Sequence, residues 1–267
     1  MLIVCATPIG NLEDVTLRVL RELAEAELVL CEDTRHTRRL LDRHDIRARL
    51  LSYHEHNEAA RTAELLPRLQ AGERIALVSD AGLPGISDPG ARLIAAALEG
   101  GISVEVLPGA SAVETALVAS GFAAERYQFL GFLPRGEKAL LRVWEELAGW
   151  PWPAVAFESP RRLPATLRSL ALVDPERRVA VCRELTKRHE EIARGSAYEL
   201  SERFSEPPKG ELTLVLGPGS GGEPPDMVEA SRSVAELVAA GLPRRRAAEI
   251  VARLTGLSRK HLYDMSL

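Results

Sequence analysis

The chain is organised around the sequence SDAGLPGISDPG, from Ser79 to Gly90. It follows an aliphatic run, Ile75 to Val78, and precedes a helical pattern, so we interpret it as the loop after a strand. Its glycines allow positive φ and close backbone approach, and its prolines fix φ. The loop therefore has a specified conformation, which is typical of a loop that holds a ligand.

The charges of this loop narrow the class of ligand. A phosphate-binding loop exposes amides to the anion and commonly adds a lysine. This loop instead carries Asp80 and Asp88 and has no basic residue before Arg92. The pattern favours a cationic or neutral ligand.

Length and composition indicate a globular protein of about two domains. The chain has 267 residues, of which 46% are hydrophobic, and its net charge of -4 predicts no polyanion partner for the molecule as a whole. No apolar run reaches the ~18 residues of a membrane span, and the N-terminus lacks a signal-peptide pattern, so we expect a cytoplasmic protein without a membrane partner. The cysteines Cys5, Cys31 and Cys182 are far apart, which favours buried thiols over disulfides.

Apolar runs alternate with helical spacing through the first half of the chain. The predicted strands are Leu2 to Ala6, Glu27 to Cys31, Leu50 to Tyr53, Arg74 to Val78 and Ser103 to Leu107. A helical pattern follows each of them, and Ser111 is placed to cap the helix that runs to Val118. This alternation predicts an α/β fold with a largely parallel, helix-covered sheet.

The composition changes at Gly121 to Gly136, which is richer in aromatic residues, and we place a domain boundary there. The predicted divisions are an N-terminal α/β domain (1-121), a second and less clearly parallel α/β domain (122-217), a linker (218-232) and a basic helical C-terminal module (233-267). The linker is predicted from the high glycine and proline content of the segment GPGSGGEPP, Gly217 to Pro225.

Three short helices are predicted in the C-terminal module, which resembles a helix-turn-helix, and Ser258 can cap the last helix. From Ala230 onward, seven basic and three acidic residues give a net charge of +4, which leaves -8 for the remainder. A basic tail can bind a polyanion even when the whole chain is acidic. A solvated appendage or a dimer contact is the alternative.

Other chemistries are less well supported by the residues. A dinucleotide site is disfavoured because the first loop supplies only Gly10 where the fingerprint needs three glycines. His54 and His56 have no third metal ligand nearby in sequence, and Ser111 lies in Pro-Gly-Ala-Ser-Ala rather than in G-x-S-x-G. No metal site and no hydrolase site are therefore predicted.

Seven motifs occur in one order along the chain. They are TPIGNLEDVTLR (Thr7 to Arg18), CEDTR (Cys31 to Arg35), SDAGLPGISDPG, PGASA (Pro108 to Ala112), GFLPR (Gly131 to Arg135), ESPRR (Glu158 to Arg162) and RELTK (Arg183 to Lys187). Together they resemble the ribosomal RNA small subunit methyltransferase I group within the tetrapyrrole methylase family. The resemblance covers about Leu2 to Leu216, and the tail is similar to the helical extension of that group.

The resemblance implies a two-domain tetrapyrrole-methylase-like fold with S-adenosylmethionine in a cleft between the domains, generally as a homodimer. It implies 2′-O-methylation of a cytidine in the decoding region of 16S rRNA, with the small ribosomal subunit as partner. The sulfonium and ammonium of this cofactor agree with an aspartate-bearing loop that lacks lysine. The family's better-known loop has GDP where this chain has SDAG, so contacts to a tetrapyrrole are not carried over.

The resemblance also implies the positions that bind the cofactor. In the first domain they are Pro8, Ile9, Asp80, Gly82, Leu83, Ser111 and Ala112, and in the second they are Phe157, Leu185 and Gly210.

Glu32 and Asp33, at the carboxyl end of a strand, are the leading candidates for accepting the 2′-hydroxyl proton. The next candidates are Lys187 and Glu184. A purely structural alternative is that Asp33 caps the following helix and that Glu32 pairs with Arg35. A base need not dominate, because orienting the hydroxyl against an activated methyl supplies much of the rate.

Ten basic residues are expected to contact RNA phosphates, since such contacts need only positive charge and reach. They are Arg35, Arg38, Arg39, Arg135, Arg161, Arg162, Arg244, Arg245, Arg259 and Lys260. Two other functions stay open: a precorrin or uroporphyrinogen methyltransferase of the same fold, and a non-catalytic helix-turn-helix protein that binds nucleic acid.

Overall fold

Two five-stranded sheets form the body of the protein in the computed structural model, which describes residues 1–219, 227–255 and 257–266. The strands of the first sheet are β1 (Leu2–Cys5), β2 (Leu28–Cys31), β3 (Leu50–Ser52), β4 (Ile75–Leu77) and β5 (Val104–Leu107). They are all parallel, in the order β3-β2-β4-β1-β5. The predicted parallel sheet is therefore confirmed.

Helices follow these strands in the order that the apolar spacing predicted. They are α1 (Leu17–Glu25), α2 (Thr34–Arg43), α3 (Glu58–Gln70), α4 (Ala91–Glu99) and α5 (Ala112–Ser120). Asp33 caps α2 by accepting a hydrogen bond from the Arg35 amide at 2.8 Å. Ser111 occupies the cap position of α5, but its hydroxyl donates to Glu114 and accepts no amide of the helix, so the predicted side-chain cap is wrong.

The three central strands of the first sheet, β2, β4 and β1, are buried on both faces. Leu2 and Val4 of β1 pack into one apolar cluster, while Ile3 and Cys5 pack into the cluster on the opposite face. Strands covered on both sides are continuously apolar, which is why these short runs were recognisable. The three cysteines are free and buried, as expected, and burial raises the pKa of the Cys5 thiol to about 12.

The second sheet is mixed. Its strands are β6 (Gln128–Phe132), β7 (Ala154–Glu158), β8 (Arg178–Arg183), β9 (Glu191–Ser196) and β10 (Leu212–Leu216), in the order β6-β7-β10-β8-β9. Only the β6 and β7 pair is parallel among these strands. Its helices are α6 (Glu137–Ala148), α7 (Leu163–Val173) and α8 (Ala197–Arg203). The apolar runs Ala154 to Phe157, Arg178 to Arg183 and Glu211 to Leu216 predict β7, β8 and β10. Strands β6 and β9 were not predicted, because β9 has the polar sequence EIARGS and β6 lies in the boundary region.

Helix α5 joins the two halves of the protein. It precedes the predicted boundary at residue 121, yet its Val113, Ala116 and Leu117 pack with Val155 and Val215 of the second sheet. Helices α6, α7 and α8 cover the opposite face of that sheet through a separate apolar cluster. The division into domains at 121 stays a prediction, since the last helix of the first domain completes the core of the second.

The C-terminal module consists of α9 (Met227–Ala239), α10 (Arg244–Thr255) and α11 (Arg259–Met265), packed around their own apolar cluster. The helix expected from Ser233 begins at Met227, because Ala230 and Val234 both face that cluster. Residues 227–232 are thus helix and not linker, and positions 220–226 lie outside the described residues. Ser258 caps α11 as predicted. No helix in the described ranges is long and apolar enough to cross a membrane.

Candidate functional site

The loops after β1 and β4 are bonded to each other at the carboxyl edge of the first sheet. The Thr7 amide donates to the Gly82 carbonyl at 2.8 Å, and the Gly82 amide donates to the Thr7 carbonyl at 3.1 Å. The Thr7 hydroxyl also donates to the carbonyl of Ser79 at 3.0 Å. The neighbouring positions of β1 and β4 bring the loops together, and these bonds hold the SDAG segment in place.

The SDAGLPGISDPG loop requires glycine at specific positions. Gly82 has φ of 79°, and Gly90 has φ of 135°, where other residues are strained. A Cβ on Gly90 would also lie 2.9 Å from Leu77 Cδ2. The Gly90 amide donates to Glu58 at 3.1 Å, which ties the end of the loop to α3.

A cavity of about 460 Å³ opens between this loop and the second sheet. Nine predicted cofactor positions line it: Ile9, Asp80, Gly82, Leu83, Ser111, Ala112, Phe157, Leu185 and Gly210. Pro8 is buried and is not among the lining residues. The size of the cavity and its apolar walls with a few polar groups are typical of a small-molecule site.

Further lining residues were missed by sequence reasoning. They are Ala81, Ile86, Ser87, Asp88, Val113, Phe132, Glu158, Ser159, Pro160, Cys182, Glu211, Leu212 and Thr213. Most of them lie inside or beside the quoted motifs, so their position next to predicted site residues could have been used to predict them. Glu211 to Thr213 belong to none of the motifs, because β10 reaches the cavity only through pairing with β7 and β8.

Carboxylates gather at the first-sheet side of the cavity. Asp80 accepts a hydrogen bond from the Asp33 amide at 3.1 Å. Burial raises the pKa of Asp88 to about 6, and the nearby charges of Glu32 and Asp80 add to the effect. Burial, followed by the charge of Asp80, also raises the pKa of Glu32. Repulsion among these groups is relieved by protonation or by a cationic ligand.

Asp33 is not suited to accept a proton. Both of its carboxylate oxygens are engaged by the Arg35 side chain, at 3.1 and 2.7 Å. These hydrogen bonds hold the pKa of Asp33 well below its usual range. The structural alternative is therefore right about the cap but wrong about the ion pair, since Arg35 pairs with Asp33. Glu32 and Asp33 both lie outside the lining of the cavity.

Lys187 is also unsuited to act as a base. Burial lowers its pKa, but hydrogen bonds to Glu184 at 2.9 Å and Glu211 at 3.0 Å outweigh burial, so the pKa is raised. Glu184 in turn accepts a hydrogen bond from the backbone amide of Glu211. This bond is the main cause of the lowered pKa of Glu184. A Cβ on Gly10 would lie 2.5 Å from Lys187 Cγ, so this lysine packs against the first loop.

The basic residues of the body differ in their surroundings. Arg35, Arg38 and Arg39 are exposed on α2, and Arg135 and Arg161 are exposed on the loops after β6 and β7. Arg162 is engaged instead: it binds the buried carboxylate of Glu158 and donates to the Leu133 carbonyl at 2.6 Å. Its predicted contact with RNA does not fit this position, because the guanidinium is already used inside the protein.

In the C-terminal module, Arg245, Arg259 and Lys260 are exposed, while Arg244 is half-buried, and the described residues supply no hydrogen-bond partner for its buried Nη1. His54 and His56 lie in the loop after β3. Across the part of the chain that the structure describes, no three His, Cys, Asp or Glu side chains are grouped to hold a metal ion.

Two family models match the chain. Residues 1–201 match the tetrapyrrole (corrin/porphyrin) methylases, and residues 225–267 match the RsmI C-terminal HTH domain. A relative from Halalkalibacterium halodurans is 43% identical over 97% of this chain and 92% of its own length. Another, from Synechocystis sp., is 43% identical over 100% of this chain and 97% of its own length. Both are named ribosomal RNA small subunit methyltransferase I.

Solved structures share the fold at low sequence identity. A uroporphyrin-III C-methyl transferase from Thermus thermophilus, complexed with S-adenosyl homocysteine, has a TM-score of 0.56 and 19% identity over 81% of this chain and 96% of its own. A diphthine synthase has a TM-score of 0.61 and 12% identity over 81% of this chain and 89% of its own. The chain therefore belongs to the tetrapyrrole (corrin/porphyrin) methylase family, and within it to the group of relatives named ribosomal RNA small subunit methyltransferase I.

Proposed function

We propose that this protein methylates the RNA of the small ribosomal subunit with S-adenosylmethionine, and that the acceptor is the 2′-hydroxyl of a cytidine in the decoding region of 16S rRNA. The names of relatives at 43% identity support the substrate class. The observation that carries the proposal is the cavity between the two sheets, whose described lining includes Asp80 and Asp88 but no basic side chain.

The residues of the cavity fit the proposed cofactor. Asp80 and Asp88 supply negative charge for a ligand that bears a sulfonium and an ammonium, and the aromatic and aliphatic wall formed by Phe157, Leu185 and Leu212 suits an adenine. Gly82 lets the backbone approach closely. When bound, S-adenosylmethionine supplies a methyl group that is already activated for transfer to oxygen.

Orientation of the ribose hydroxyl is the main contribution that we assign to the protein. Among the predicted catalytic residues we retain Glu32 as proton acceptor, because its raised pKa makes it a better base than Asp33. Glu32 is not part of the cavity lining, but its charge acts on Asp88, which is. The Asp33 side chain caps the start of α2, and the Asp33 backbone amide donates a hydrogen bond to Asp80. Lys187 and Glu184 hold the RELTK loop against the first loop.

RNA is held by exposed cations around the cavity and on the tail. Arg38 and Arg39 of α2 offer one such group, and Arg35 adds an exposed guanidinium that is paired with Asp33. Arg245, Arg259 and Lys260 of the C-terminal module offer another, and the family model of that module names it a helix-turn-helix. Phosphate contacts of this kind position the substrate without reading its sequence. A homodimer and a cytoplasmic location are part of the same proposal, and the mass of the protein in solution tests the dimer.

The test is transfer of a labelled methyl group to small ribosomal subunits that lack the modification, followed by mapping of the product nucleotide. We expect the label on the 2′-oxygen of one cytidine. Label on a base would refute the proposed acceptor atom, and label on a porphyrinogen but not on RNA would favour the tetrapyrrole alternative. Failure to bind S-adenosylmethionine in calorimetry would favour a non-catalytic nucleic-acid-binding protein.

A further inference from the structure

Two large apolar side chains remain exposed where the cavity meets solvent. Phe132 of β6 is 63% exposed and Ile86 of the SDAGLPGISDPG loop is 50% exposed, and both line the cavity. They belong to opposite walls, since β6 is part of the second sheet and the loop follows the first. Single exposed apolar residues are common on protein surfaces, but two that face one cavity from opposite walls are candidates for contact with a ligand in it.

A β-bulge sets the position of Phe132. Phe129 pairs with Val155 and Phe132 with Phe157, and the register shifts between these two pairs. Gly131, at φ of 65°, lies within the shift. A Cβ built on Gly131 would lie 3.6 Å from Ser87 Oγ, so the bulge lies against the tip of the loop across the cavity. Bulges commonly re-aim a side chain beside an active site.

The ring of Phe132 is 63% exposed and packs against a neighbouring ring. Its centroid is 5.5 Å from that of Phe157 in a tilted arrangement, and Phe157 packs in turn against Phe129 at 5.1 Å. The three rings form one aromatic cluster in which Phe132 is the outermost member. Its exposed surface is therefore backed by packed side chains, which is the arrangement of a stacking platform.

Exposed cations flank this platform. Arg162 bonds the Leu133 carbonyl and the Glu158 carboxylate, which fastens the loop after β6 to the loop after β7. Arg135 and Arg161, one on each fastened loop, are exposed. Positive charge beside an exposed aromatic ring is the combination by which proteins bind single-stranded nucleic acid.

We propose that Phe132 and Ile86 form the subsite for the nucleobase of the methyl acceptor, a pyrimidine turned out of the RNA and held between the ring and the aliphatic side chain. Arg135 and Arg161 contact the flanking phosphates. The inference rests on the proposed function and adds the base-binding residues to it. A base must leave its stack to bring its ribose to an enclosed donor, and extruded bases are commonly stacked between aromatic and apolar side chains.

The test compares Phe132→Ala with Phe132→Tyr, which keeps a stacking ring. The control is Tyr198→Ala, which removes an aromatic ring that is 58% exposed and does not line the cavity. We expect Phe132→Ala to lower kcat/KM for small subunits about 10-fold or more, in line with measured stacking contributions. We expect Phe132→Tyr and Tyr198→Ala to stay near wild type. The affinity of Phe132→Ala for S-adenosylmethionine should remain within about twofold, because Phe132 is 63% exposed at the edge of the cavity and is not part of the wall assigned to the adenine.

A fluorescent cytidine analogue in a short RNA gives a second readout. Its fluorescence should change on binding to the wild type and to Phe132→Tyr, and much less on binding to Phe132→Ala. A Phe132→Ala variant as active as the wild type would refute the inference alone. Loss of cofactor affinity in proportion to activity would also refute it, by placing Phe132 in the cofactor site. A wild type that transfers no label to RNA would refute the proposed function and this inference with it.

Discussion

Arg162 pairs with both carboxylate oxygens of Glu158, at 2.8 and 2.9 Å, and the Glu158 side chain has no exposed surface. The Thr166 hydroxyl donates to the same carboxylate at 2.6 Å. A buried charge held in this way is strongly destabilising when one partner is removed. The pair also fastens the two loops that carry Arg135 and Arg161.

Replacing Arg162 with alanine should therefore destabilise the protein. We expect a loss of about 3 to 5 kcal/mol in the free energy of unfolding, because Glu158 is left buried without its cation. Urea denaturation measures this quantity. Arg161→Ala is the matched control, and as an exposed change it should stay within about 0.5 kcal/mol of wild type. Equal stability of the two variants, with weaker RNA binding by Arg162→Ala, would restore Arg162 as an RNA contact.

Replacing Asp88 with asparagine should change how stability depends on pH. The folded pKa of about 6 lies above the ordinary 3.8. The folded protein thus binds more protons between these values, and wild-type stability falls as pH rises through this window. Asp88→Asn removes this dependence, so its melting temperature should exceed that of wild type at pH 7 to 8 and approach it near pH 4. A difference in melting temperature between Asp88→Asn and wild type that stays constant from pH 4 to pH 8 would contradict the raised pKa of Asp88.

The charge of Asp80 should matter for the cofactor and not for RNA. We expect Asp80→Ala to weaken binding of S-adenosylmethionine in calorimetry and to leave RNA binding nearly intact. Asp80→Asn separates two roles, because it keeps an oxygen for the Asp33 amide but removes the charge. Wild-type affinity in Asp80→Asn would assign the effect to that hydrogen bond. If Asp80→Ala bound RNA weakly and the cofactor normally, the proposal that the cavity binds the cofactor while the exposed cations bind RNA would be wrong.

Gly90 should tolerate no side chain. We expect Gly90→Ala to cost clearly more than 1 kcal/mol in chemical denaturation, because both its φ of 135° and the nearby Leu77 side chain oppose a Cβ. Gly101→Ala measures the cost of an ordinary left-handed φ, since Gly101 has φ of 69° with nothing within 4 Å of an added Cβ. That control should cost roughly 1 kcal/mol. Equal costs would mean that neither the φ of 135° nor the Leu77 side chain opposes a Cβ at Gly90 beyond the cost of an ordinary left-handed position.

The cations of the C-terminal module should determine part of the salt dependence of RNA binding. Replacing Arg259 and Lys260 with alanine should weaken binding and reduce the slope of log K against log salt by about 1 to 2, because each phosphate contact releases condensed ions. Binding measured at several salt concentrations tests this. The same substitutions at Arg38 and Arg39 test α2 independently. An unchanged slope after both pairs of changes would exclude these surfaces as the RNA contact.

The first sheet and its loops were predictable because their signals are local. Each strand from β1 to β5 is a short apolar run followed by a helical pattern, and parallel strands place their following loops at one edge. The residues expected around the SDAGLPGISDPG loop, among them Ile9, Asp80 and Ser111, consequently line a common cavity. The domain boundary at residue 121 was harder to predict from the sequence, because α5 packs on a sheet whose strands come later in the chain.

Local sequence patterns were sufficient to predict an α/β protein with a basic helical tail and an acidic, glycine-rich loop suited to a ligand that is not a polyphosphate. Which side chains are available for function depends instead on contacts between parts of the chain that are distant in sequence. Arg161 and Arg162 are adjacent residues of the same type, yet Arg161 is exposed and Arg162 pairs with the buried carboxylate of Glu158. Asp33 and Lys187 likewise had the right chemistry but are engaged by Arg35 and by Glu184. The reason is physical: the state of a charged group depends on its partners and burial, which contacts distant in sequence create.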